Sequence, residues 1–223
     1  MVAFSILLFL VSSMACSQKN AHYEQMKDLA DKARSPSTES PNALSKLMDF
    51  SRSENYWDRY YALVFLGQLA LVSNSDTQKQ IIPIIISTLD DKDQAVRRSA
   101  VCVIRDVGTN AVDQAIPKLL QFVRSGDEID VSWFATEALG KSQDSRYQNE
   151  VVSTLFSALD QAPSVELPAS APQIRYYALS ALAEIGERNP TVVLPELRKR
   201  AATKDRALSD KIAATITRLE KKI

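Results

Sequence analysis

Arg59-Tyr60-Tyr61-Ala62-Leu63 and Arg175-Tyr176-Tyr177-Ala178-Leu179 are the same pentapeptide, 116 residues apart in a chain of 223. Arg97-Arg98-Ser99-Ala100, Ser132-Trp133-Phe134-Ala135 and Lys211-Ile212-Ala213-Ala214 fall into the same frame. The aligned alanines Ala62, Ala100, Ala135, Ala178 and Ala214 are separated by 38, 35, 43 and 36 residues, the size of a two-helix solenoid unit repeated with slack. Inside the unit the periodicity is helical. Ile174, Tyr177, Ala178, Ala181, Leu182 and Ile185 recur at intervals of three and four, and Gly186 supplies a stop. Val96, Ser99, Ala100, Val103, Ile104 and Val107 repeat that stripe up to Gly108. Small alanines on this face let neighbouring helices approach closely, so each unit can stack on the next.

From the second unit onward each such helix follows another apolar segment: Ile81 to Leu89, Ala115 to Val123, Val151 to Leu159 and Val192 to Ala201. Three of these carry Ile82-Pro83, Ile116-Pro117 and Leu194-Pro195 at corresponding places. The run Ile81-Ile82-Pro83-Ile84-Ile85-Ile86 has the β-branched content of a strand. Proline is unwelcome in a central strand, however, and the shared frame predicts helices that begin or kink at these prolines.

An apolar-Pro first helix, the turn Asp90-Asp91-Lys92-Asp93 and then Gln94-Ala95-Val96-Arg97 opening a second helix together resemble a HEAT repeat. The resemblance covers about residues 42–220 and implies an all-α, right-handed α-solenoid of about five HEAT-like helical hairpins. Their approximate bounds are 42–73, 76–109, 112–143, 147–187 and 190–220. In that family an Asp six residues before the Arg ties neighbouring units together. Asp91 with Arg97 has that spacing, Asp205 with Lys211 keeps it in a basic form, and Ser53, Ala169 and Ser132 interrupt it.

Val2 to Val11 is a continuous apolar run, too short for the roughly 20 residues of a spanning helix but of signal-peptide length. Ser12-Ser13-Met14-Ala15-Cys16 and the polar Ser17-Gln18-Lys19-Asn20 follow, which resembles the lipobox of bacterial lipoprotein signal peptides. That resemblance implies a signal peptide over 1–15 and a mature chain that begins at a lipidated Cys16, carrying diacylglycerol and an acyl chain such as palmitate. Residues 16–41 would then be tether, short helix and linker, and 42–223 the repeat solenoid. Ser17 after the cysteine implies an outer-membrane address facing the periplasm; the alternative is an ordinary cleaved signal and a secreted or periplasmic protein.

His22 to Ala33 reads as a helix with Tyr23, Met26, Leu29 and Ala30 on one face, either capping the solenoid or spacing it from a membrane, with no specific role for His22. Cys102 reads as a small buried apolar residue. A loop over 160–172 with three prolines accounts for the 43-residue step.

Lys and Arg number 27 against 27 Asp and Glu, so the chain lacks the cationic surplus that nucleic-acid binding requires. One histidine and two cysteines cannot build an ordinary zinc site and leave few candidates for Ser-His-Asp or Cys-His nucleophile machinery. No enzyme constellation, metal, cofactor or small-molecule substrate is therefore expected. What remains is a surface lined by the second helices. Tyr60, Arg98, Trp133 and Tyr176 occupy equivalent positions there, each one residue before Tyr61, Ser99, Phe134 and Tyr177, which are expected to be buried. With Arg59, Arg97 and Arg175 beside them they have the composition of an interface centre and form a candidate strip for a protein partner. The competing expectation is that the rings flank the core and the arginines pair with acids of adjacent units. Lys204, Arg206, Lys211, Arg218, Lys221 and Lys222 would keep the last unit soluble. These residues predict a lipid-anchored, non-catalytic scaffold or adaptor of the bacterial envelope; the alternative is an enzyme subunit of the HEAT-like branch that resembles phycobilin lyases.

Overall fold

The computed structural model describes residues 20–35, 38–126, 128–161 and 174–223. Cys16 and positions 162–172 of the expected loop lie outside them. The described residues form helices and no strand. In chain order these are α1 over 20–34, α2 (Ser40–Phe50), α3 (Tyr56–Val72), α4 (Ser75–Ser87) with a 3₁₀ turn at Thr88–Asp90, and α5 (Gln94–Val107). They continue as α6 (Thr109–Ser125), α7 (Ile129–Leu139), α8 (Gln148–Leu159), α9 (Ile174–Arg188), α10 (Pro190–Arg200) and α11 (Arg206–Glu220). Consecutive pairs from α2/α3 to α10/α11 make five helical hairpins. The chain divides between Val103 and Ile104, inside α5, into two compact units.

In the first unit polar residues start the helices. Asn55 accepts from the Trp57 amide at 2.8 Å and Asn74 from the Thr77 amide at 3.0 Å, which satisfies first-turn donors that have no intrahelical partner. The apolar stripes of α3, α4 and α5 then meet. Ala62, Leu63 and Leu66, Ile81, Ile82 and Ile85, and Val96, Ala100 and Val101 are all fully buried. Each large aliphatic side chain so removed from water contributes roughly 1.5–3 kcal/mol. The helix α1 joins this core. Met26 and Ala30 are buried, and the Tyr23 ring lies 5.4 Å from Tyr61 and 5.6 Å from Phe65.

The second unit repeats the layering. The second helices α7, α9 and α11 pack in succession, as do the first helices α6 and α8. Ala135, Ala138, Ala178 and Ala181 keep the helix axes close. Gly108, with φ of 92°, occupies a conformation costly for other residues and separates α5 from α6. Gly186 is not the predicted stop: α9 runs on to Arg188, and the Leu219 side chain fills the space a Cβ would need, 2.5 Å away.

Pro83, Pro117 and Pro195 lie inside α4, α6 and α10 rather than at their starts. All three rings are exposed, so water can serve the carbonyl that a proline leaves without an amide partner. Cys102 is half-buried, not buried. The alanine frame also needs a correction in its last copy. The seventh residues of α3, α5 and α7 are Ala62, Ala100 and Ala135; the seventh of α11 is the buried Ile212, while Ala214 is exposed.

Candidate functional site

The position three residues before the repeat alanine, Arg59 in α3 and Arg175 in α9, is set apart by charge. Arg59 is only 5% exposed and grips Asp91 with two parallel bonds, Nε to Oδ2 at 2.7 Å and an Nη to Oδ1 at 3.0 Å. It also reaches Asp93 and the Ser53 and Glu54 carbonyls. Fork geometry of this kind is the strongest side-chain pairing available. The hydrogen bond to Asp91 holds the guanidinium above its ordinary pKa. Burial pushes the Asp91 carboxyl upward, but Arg59 and the Asp93 amide outweigh it and the group ends below its ordinary 3.8.

Arg175, 7% exposed, makes the corresponding pair with Asp205. The expected Asp-x₅-Arg tie is thus realised differently: the arginine of one hairpin clasps aspartates ahead of the second helix of the next, Asp91 and Asp93 before α5 and Asp205 at the cap of α11. Asp205 serves Arg175 and caps α11 through the Leu208 amide at 3.0 Å, and Arg97 donates to the backbone carbonyl of Asp91. Ser132 stands at the arginine position of α7, buried, its hydroxyl without a partner among the described residues. Of the seven residues expected on a contact strip, Arg59 and Arg175 therefore lie inside the fold as internal ties. Arg97 is half-buried and Arg98 exposed in the first unit.

The rings behave differently in the two units. In the first, Tyr56, Trp57, Tyr60 and Tyr61 form a cluster in which Trp57 stacks on Tyr61 at 5.8 Å and Tyr56 on Tyr60 at 5.9 Å. Tyr61 is buried and Tyr60 half-buried. In the second, Trp133 stacks on Tyr177 at 5.8 Å with the planes 18° apart, and Lys211 lies 5.6 Å from the Tyr176 ring centre. Each contact joins the side chain two residues before a buried alanine, Ala135 or Ala178, to the side chain one residue before the buried Ala178 or Ile212 of the next second helix. Trp133, Tyr176, Tyr177 and Phe134 are all half-buried, as is Ser99 in the first unit, so Tyr177, Phe134 and Ser99 are not in the core as expected, and Tyr177 takes part in the ring contact. Lys211 occupies the sixth position of α11, two residues beyond the arginine frame; counting from Asp205, the helix cap, would have placed it there.

Sequence reasoning also passed over His22. Its Nδ1 donates to Asp58 Oδ1 at 2.6 Å, and Ser53 Oγ donates to Asp58 Oδ2 at 2.8 Å. A catalytic triad has histidine between serine and carboxylate; here the carboxylate stands between, so the hydroxyl is not activated. The arrangement fastens α1 to α3. Nothing in sequence spacing links residues 36 positions apart.

No protein-family model and no curated protein matches the chain. Solved structures do. An engineered protein from a structural genomics consortium aligns over 92% of both chains with TM-score 0.57 and 16% identity. A designed armadillo repeat protein in complex with the peptide (KR)4 aligns over 86% of this chain and 98% of its own, with TM-score 0.50 and 16% identity. A structure describing Kap95p binding to RanGDP aligns over 88% of this chain but 26% of its own, with TM-score 0.54 and 16% identity. The fold is that of a helical-repeat protein. At these identities the likeness is one of architecture.

Proposed function

We propose that the protein is a non-catalytic interaction scaffold that presents the outer faces of its second helices to another protein. The observation that carries this reading is the half-exposed ring contact of Trp133 with Tyr177 in the second unit, continued by Tyr176 and Lys211 on the next helix. Aromatic side chains held rigid by stacking lose little entropy on binding and are enriched at interface centres. Helical-repeat folds commonly use such extended faces for protein partners. With Arg59 and Arg175 committed inside, the candidate contact residues are Tyr60, Arg97 and Arg98 in the first unit and, separately, Trp133, Tyr176 and Tyr177 in the second. We further propose HEAT-type repeats, and a lipid on Cys16 that anchors the chain in a bacterial envelope; the support for the anchor is the apolar run followed by small residues and cysteine.

Crosslinking and mass spectrometry of native membranes identify the bound protein. A Trp133→Ala/Tyr176→Ala double variant should then lose that partner while keeping its helical circular dichroism. Retained capture refutes the strip. Cys16→Ala should move the protein to the soluble fraction, and persistent membrane association refutes the anchor.

A further inference from the structure

Between α9 and α11, where the ring strip of the second unit reaches its last helix, lies a groove of about 340 Å³. Its walls include Tyr176, Ser180 and Ala183 of α9 and Lys211, Ala214 and Arg218 of α11. Three small residues, Ser180, Ala183 and Ala214, open the depression. Lys211 and Arg218 stand at its two ends, seven residues apart and so about 10 Å along the helix.

The charges around this groove are unbalanced. Residues 204–223 carry six basic side chains and three acidic ones. Asp205 is taken by Arg175 and Glu220 by Arg198, 2.6 Å away. Asp210 stands four residues before Ala214, on the flank of the same helix face, but does not line the groove. From α9, Glu184 contacts Arg188 at 3.6 Å, while Glu187 reaches Arg218 at 3.4 Å and leaves that side chain 54% exposed. Lys211 is exposed and makes no ion pair among the described residues; its ammonium rests near the Tyr176 ring.

We propose that this groove binds an acidic, extended peptide segment of a partner protein, with one carboxylate at Lys211, another at Arg218, and the chain between them laid over the small residues beside Tyr176. The inference rests on the second-helix strip being the partner face. An extended chain advances about 3.3 Å per residue, so acidic residues two to four positions apart span the two cations. Complementary charge of this kind sets the sign of the partner and the rate of encounter more than the final affinity.

The test uses the full chain and fluorescence anisotropy with labelled octaglutamate, octalysine and an eight-residue oligothymidylate. The expected result is saturable binding of octaglutamate alone, weakened by added salt. Lys211→Glu/Arg218→Glu should weaken it at least about tenfold, and Lys211→Arg/Arg218→Lys should retain it, which controls for folding. Absence of saturable octaglutamate binding overturns the proposal, as does equal binding by the charge-reversed variant. Equal binding of oligothymidylate also overturns it, by showing a general polyanion patch. The two readings fail separately: if Trp133→Ala/Tyr176→Ala loses the native partner but charge reversal does not, the acidic ligand is wrong and the strip stands. If the ring variant keeps its partner, the strip itself falls.

Discussion

The N-terminal end of the first unit and the last helix of the second solve the same problem in opposite ways. At the first, the inward face of the leading hairpin is covered by α1, which buries Met26 and Ala30 and is fastened by His22 on Asp58 and by Tyr23 on the Tyr61 and Phe65 rings. At the second, α11 turns Leu208, Ile212 and Leu219 inward and faces solvent with Lys211, Ala213, Ala214 and Arg218. A repeat whose outer side is apolar needs another helix over it, whereas one with a polar outer side can terminate a stack. The difference places the unbalanced charge, and with it the candidate ligand groove, on the second unit.

The two arginine clasps sharpen this contrast and carry the largest expected effect. Arg59→Leu strands the Asp91 carboxylate, whose side chain is 6% exposed, and should cost about 3–5 kcal/mol in denaturant unfolding. Arg175→Leu leaves Asp205, 30% exposed, in contact with water, and should cost less than half as much, about 1–2 kcal/mol. Equal losses would show that the two clasps are equivalent. The same pair sets an acid limit. Because the folded Asp91 pKa lies below its ordinary 3.8, its contribution is present above that value and disappears as pH falls through the folded one. Asp91→Asn should therefore flatten the loss of stability measured below pH 3.8.

Next in size is the cap. Met26→Ala removes a fully buried side chain and should destabilise the first unit by about 2–3 kcal/mol. Amide exchange should rise first in α1, leaving α7 to α11 protected; uniform loss of protection would contradict the division between units. Smallest is His22→Ala, expected to cost about 1 kcal/mol, read as a lower melting temperature without loss of helix. No change would mean that Met26 and the rings hold α1 unaided.

The hairpins were legible in the sequence because a stacked helix pair returns to the same environment at a regular interval and, in the first four copies, writes that return as alanine, with steps of 38, 35 and 43 residues. The frame slipped where residue type was followed rather than helix start. Ala214 matched by identity, yet the aspartate that opens α11 puts Ile212 in the buried place and Lys211 on the surface. Proline rightly turned the Ile81–Ile86 run from strand to helix, but it does not mark the helix starts: an exposed ring inside a helix is tolerated. Pairing of the arginines with acids of adjacent units was legible as the competing expectation, and Arg59 and Arg175 follow it; which acid is taken was not, because the carboxylate of Asp91 comes from 32 residues ahead. His22 resembled no motif; its partner is defined only once α1 is docked.

The clasps have a consequence for biosynthesis. Arg59 meets Asp91 across 32 positions, and Arg175 meets Asp205 across about the same span. Pairing confined to consecutive hairpins closes only short stretches of chain, which costs little loop entropy. A nascent polypeptide can therefore lock each layer as soon as the following thirty or forty amino acids leave the ribosome, without waiting for its far terminus.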